Sequence, residues 1–177
     1  MKNILSVLVI VVITSVSACS GNSGGGSATS PPATSPTSTL PPAQPTKAVL
    51  KLSTSNTTTY IAGLDVTIAL PDGVIVKSTM NPPETDAGIV VASGQAAANS
   101  LVEATYTATS GNSPAKVRIA LVNTYGFGPG EFATITCDLV ANAHPASSDF
   151  SVLSVKAWDP STNVIGGVNI NPAVTLK

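Results

Sequence analysis

The stretch Leu64-Asp65-Val66-Thr67-Ile68-Ala69-Leu70 puts a large apolar residue at each even position and a smaller or polar one between. A period of two sends successive side chains to opposite faces, so this reads as a half-buried strand. The pattern returns downstream. Val117, Ile119 and Leu121 alternate with Lys116, Arg118 and Ala120, and Ala133, Ile135, Cys137 and Leu139 alternate with Thr134, Thr136 and Asp138. Turn chemistry separates such runs at Pro71-Asp72-Gly73, Asn81-Pro82-Pro83, Ser110-Gly111-Asn112, Gly128-Pro129-Gly130 and Asp159-Pro160-Ser161. The expectation is about nine strands, at 47–54, 60–70, 74–79, 87–92, 101–108, 115–123, 131–141, 150–158 and 164–176. No amphipathic helix longer than two turns is expected, and the patch at 95–99 predicts a short one. Many short strands with regular turns predict an all-β, antiparallel β-sandwich, its first and last strands paired at the edge.

Outward from this domain, residues 47–177, the composition changes twice. Residues 20–46 hold Gly24-Gly25-Gly26, then Pro31-Pro32, Pro36, Pro41-Pro42 and Pro45 among Ser, Thr and Ala, with Leu40 their one large apolar residue. Such a segment cannot bury enough apolar surface to offset its ordering entropy and reads as a linker. Before it, a basic start at Lys2 and an apolar core over residues 4–16 have the length of a secretory leader, which is too short to span a bilayer. The leader ends in Val16-Ser17-Ala18-Cys19, which resembles a bacterial lipoprotein signal. That resemblance implies a signal peptide over 1–18, lipid on the Cys19 sulfur, and a lipidated tether over 19–46. Two or more acyl chains give stable membrane anchoring. The implied location is the bacterial cell envelope, and Ser20 in place of an aspartate points to the outer membrane where the host has one.

Candidate chemistry in the domain is sparse. With Cys19 assigned to lipid, Cys137 is unpaired on the apolar side of its strand and reads as a small buried hydrophobe. His144, the single histidine, falls in a loop and reads as solvated. Glu84 with Asp86, and Asp159 with Asn163, are the pairs nearest to calcium ligands, but calcium takes six to eight oxygens and a turn role fits better. Glu103 and Glu131 could form a glycosidase carboxylate pair only if the fold brought them together. The chain has 8 Lys and Arg against 9 Asp and Glu, with no basic run, which argues against nucleic acid. No cofactor or metal is called for, and no enzyme is expected. Among the seven aromatics, Tyr106 and Phe150 read as core. Tyr125 and Phe127 sit among glycines that would present them from a loop, unless they cap the end of the sandwich. Together with Trp158 they are the candidate carbohydrate-binding rings.

Ile61-Ala62-Gly63-Leu64-Asp65-Val66-Thr67-Ile68 before Val74-Ile75-Val76, and then Gly130-Glu131-Phe132-Ala133-Thr134-Ile135-Thr136-Cys137-Asp138-Leu139, resemble in order the early strands and a later strand of the cohesin family. The ending from Val155-Lys156-Ala157-Trp158-Asp159 through Val164-Ile165-Gly166 to Val174-Thr175-Leu176 is similar to its closing hairpin. The resemblance implies a nine-stranded jelly roll related to carbohydrate-binding modules. It also implies recognition of a protein partner through a sheet face that includes the fifth and sixth strands. The outward positions there are Leu101, Glu103, Thr105, Thr107, Lys116, Arg118, Ala120 and Val122, with Glu103 placed to pair with Lys116 or Arg118. The leading expectation is a membrane-anchored binding or assembly module for an envelope protein. The alternatives are a polysaccharide-binding lipoprotein and a structural subunit of an envelope complex.

Overall fold

The computed structural model describes residues 43–79 and 83–177. The leader, Cys19, the tether as far as residue 42, and the Asn81-Pro82 portion of one expected turn lie outside the described residues. Ten strands follow in chain order: β1 Lys47–Ser55, β2 Ile61–Ala69, β3 Val74–Ile75, β4 Val90–Ala92, β5 Ser100–Thr107, β6 Lys116–Phe127, β7 Gly130–Leu139, β8 Ser151–Trp158, β9 Val164–Ile165 and β10 Asn169–Leu176. They form two antiparallel five-stranded sheets. Sheet A runs β10-β1-β7, with β3 and β4 dividing the far edge of β7, and sheet B runs β5-β6-β2-β8-β9. The expected antiparallel sandwich is thus what the chain forms.

The alternation read from sequence decides which residues meet between the sheets. Ala48, Leu50 and Leu52 of β1 and Ala133, Ile135 and Cys137 of β7 supply one inner face. Leu64, Val66 and Ile68 of β2 and Val117, Ile119 and Leu121 of β6 supply the other. All are buried, and each large side chain removed from water contributes about 1.5–3 kcal/mol. Phe132 is an extra residue at a bulge opposite Leu52 and Ser53, and it turns inward to stack on Phe127.

Four of the expected runs differ from what forms. The run 164–176 is two strands in different sheets, separated at Gly166-Gly167, where Gly167 takes φ +73°. The runs 74–79 and 87–92 shrink to two and three paired residues, because β3 and β4 share one strand's edge. And β6 continues through Tyr125-Gly126-Phe127, which are therefore not a loop. The patch at 95–99 gives a single 3-10 turn, Gly94–Ala96, and a second such turn is Ser147–Asp149.

β1 and β10 pair as expected, and Lys47 and Lys177 exchange both backbone hydrogen bonds. Antiparallel ladders alternate, so the even residues of β10 direct their N–H groups away from β1. This free edge is protected. Pro172 has no N–H to offer, and the Val174 amide donates to Ser147 Oγ at 2.9 Å. At the same end the Leu139 amide donates to the Thr46 carbonyl, and His144 Nε2 lies 2.9 Å from Gln44 Oε1. His144 is exposed, as expected, but it is not left to solvent alone.

Candidate functional site

Sheet B has an outer face whose rows can be read from strand register. Leu101 pairs Val122, Val122 pairs Gly63, Gly63 pairs Trp158, and Trp158 pairs Val164. One apolar row therefore crosses all five strands. Leu101, Val122 and Val164 are 79%, 57% and 74% exposed, and Trp158 is half-buried. Gly63 has no side chain of its own in the middle of this row, and the Trp158 indole leans over it. A cleft of about 420 Å³ opens there, walled by Ala62, Val122, Asn123, Trp158 and Pro160. The wall carrying Pro160 is held by Asp159, whose carboxylate accepts the Ser161 and Asn163 amides at 2.8 Å and Asn163 Nδ2 at 3.0 Å. The Asp159–Asn163 pair thus has the turn role expected of it. These bonds, first of all the side-chain bond from Asn163, hold the Asp159 carboxyl below its ordinary range.

The adjoining row is charged: Glu103, Ala120, Asp65 and Lys156 stand in register across β5, β6, β2 and β8. Of the eight face positions expected from sequence, six are exposed, and Thr105 and Ala120 are half-buried. The expected pairing of Glu103 with Lys116 or Arg118 is not what forms. Arg118 reaches diagonally to Asp65, with Nε 3.1 Å from Oδ1 and Nη2 bonded to Oδ2. That bond and the Asp65 charge raise the Arg118 pKa, with a smaller contribution from Glu103. Glu103, Lys116 and Lys156 have no ion pair among the described residues. Sequence reasoning missed Gly63, Asp65, Lys156 and Val164 on this face. The one local signal was a glycine inside a strand, which often marks a close approach.

Of the three candidate carbohydrate rings, one is withdrawn into the core. Phe127 is buried, with its ring centroid 6.3 Å from that of Phe132, so it is corrected from a presented ring to a core residue. Tyr125 is 76% exposed although strict alternation from Val117 would turn it inward. The cause is Asn123, a buried amide whose Oδ1 accepts the Tyr125 N–H while its Nδ2 donates to the Ala98 carbonyl and Ser100 Oγ. These bonds fix an irregularity in β6, across which Ile61 pairs Phe127 while Gly63 pairs Val122. Tyr60, also exposed, was passed over in sequence, and it packs beside Gly126.

The remaining candidates separate. Glu103 stands on the outer face of sheet B. Glu131 belongs to sheet A, bonded to Lys51 at 2.9 Å, so the two form no carboxylate pair. Glu84 and Asp86 join Glu103 around a polar hollow of about 210 Å³ at the edge of β5. Among the described residues no group of three or more His, Cys, Asp or Glu is placed to hold a metal ion. Cys137 is free and fully buried, and burial, with the Asp138 charge second, pushes its thiol up to about 12.

No protein-family model matches this chain, and no curated protein matches it. Among solved structures it is similar to a non-cellulosomal cohesin from the hyperthermophilic archaeon Archaeoglobus fulgidus. That likeness has 13% sequence identity and a TM-score of 0.46, and it covers 69% of this chain and 74% of that one.

Proposed function

We propose that this chain is a non-catalytic binding module, held at a membrane of the bacterial envelope by lipid on Cys19. It recognises a protein through the outer face of sheet B. The observation that carries the reading is the exposed apolar row from Leu101 to Val164, continuous across the sheet and bordered by charged side chains. An apolar centre with a polar margin is the anatomy of a protein interface, and Trp and Arg are the residues that most often dominate one. Val122→Asp in the full chain places a charge at the centre of the row without touching the core. It abolishes capture of the partner from the envelope fraction, whereas Thr136→Asp on the outer face of sheet A does not. Equal capture by both variants would refute the sheet B assignment.

The cleft beside Trp158 supports a second reading, retention of polysaccharide through Trp158 and the exposed Tyr125. A Trp158→Ala/Tyr125→Ala double variant that loses polysaccharide retention while keeping protein capture would favour it.

A further inference from the structure

We infer that the protein recognised by this face is a second copy of this chain, an inference that rests on the sheet B reading above. Strand register makes the face complementary to itself. Consider a twofold axis parallel to the strands and running between β6 and β2. It places β5 against β8 of the other copy, and β6 against β2 of the other copy. In the apolar row, Val122 of each copy then faces Gly63 of the other, with the Trp158 indole leaning over it, and Leu101 faces Trp158. Apolar side chains of one copy meet the indole of the other.

In the charged row the same axis sets Glu103 of each copy opposite Lys156 of the other. Neither has an ion pair within its own chain among the described residues, so the two contacts satisfy charges left open in the single copy. Asp65 faces Ala120 across the axis, its charge already met by Arg118. One further row along, Thr105 faces Ser154 and Arg118 faces Thr67. No like charges oppose each other in these rows.

Two other observations fit this arrangement. Four strands at about 4.8 Å and eight residues at about 3.3 Å give a face of roughly 500 Å² per copy. The total is about 1,000 Å², the lower limit for a specific interface, as suits a dimer that forms when copies are concentrated. The axis also keeps both copies in one orientation along the strands, so both chains come in at Gln44 and Thr46 on the same side. An axis along the apolar row would put those points at opposite ends.

The test is cross-linking of the full chain in the membranes of expressing cells. Ala120→Cys places a thiol beside the axis, and neither the buried Cys137 nor Cys19, its sulfur taken up by lipid in the proposed anchor, contributes background. A short bismaleimide should join Ala120→Cys chains into a pair and leave the wild-type chain single. In that background Glu103→Lys or Lys156→Glu lowers the yield at least fivefold, and the two together restore it to within twofold. Restoration excludes misfolding as the cause of the single losses. Absence of the pair, single reversals without effect, or a combined variant that stays low would each overturn self-pairing. An adduct with a different protein, removed by Val122→Asp, would also overturn it but leave the sheet B reading standing. No adduct of either kind, with no capture by the wild type, would overturn both.

Discussion

A Cβ at Gly63 would stand 3.3 Å from Cε3 of Trp158, so the indole lies where any other residue would project its side chain. Gly63 is not in the left-handed region, and alanine adds no backbone strain there. The indole is the flexible partner and gives by a few tenths of an ångström. Glycine within a strand costs roughly 0.5–1 kcal/mol relative to alanine, which offsets the crowding. Gly63→Ala therefore leaves stability within about 1 kcal/mol of wild type and shifts the emission of Trp158, the single tryptophan. Urea titrations followed by fluorescence read both.

Asn123 is buried, and Asn123→Ala leaves the part-buried Tyr125 amide and Ala98 carbonyl without their partner. Unsatisfied buried groups cost about 1–3 kcal/mol. Denaturant unfolding should show a loss of that size. The loss should come with faster proteolysis near residue 125, because the same amide fixes the bend in β6.

Cys137→Ser exchanges a buried thiol for a hydroxyl at a position with no exposure, and destabilises by about 1–3 kcal/mol. In the native protein the raised thiol pKa and burial both suppress reaction. A thiol reagent at pH 8 should label Cys137 only on unfolding, and rapid native labelling would contradict its placement.

Asp159 and Glu131 both titrate below their ordinary values of 3.8 and 4.5, Asp159 through Asn163 and Glu131 chiefly through its hydrogen bond from Lys51. The unfolded chain takes up these protons first as pH falls. Their contribution is therefore complete above the ordinary values and is lost as pH drops through the lower, folded ones. Melting midpoints should be nearly level above pH 4.5 and decline below it. In Asp159→Ala the decline should be shallower.

Lipid on Cys19 predicts that the wild-type chain incorporates a labelled fatty acid and partitions into detergent, and that Cys19→Ala does neither. Labelling of the alanine variant would rule out this anchor.

Period two made the inner faces of β2, β6 and β7 legible, because one buried face forces strict alternation. It also fixed the outward positions from Leu101 to Val122. It could not show that β2 lies between β6 and β8, since sheet order is a non-local matter. That is why Asp65 was missed as the partner of Arg118, and Gly63 as the neighbour of Trp158. The length of β6 was hidden for a different reason. Asn123 breaks the alternation, and the glycines after it read as loop until the hydrogen bonds of its side chain are seen. The weak patterns at 74–79 and 87–92 fell short because two segments compete for one edge of β7.

The position of β1 has a mechanical consequence. It is clamped on both sides, with eight register pairs to β10 and eight to β7, and the chain enters it through Thr46, whose amide and carbonyl are bonded to Lys177 and Leu139. Tension applied through that lead pulls β1 lengthwise. The hydrogen bonds of an antiparallel ladder lie across the strands, so such a pull shears two ladders at once instead of peeling one bond after another. Hung from its amino-terminal lead, the sandwich resists force along the direction in which it is most strongly tied.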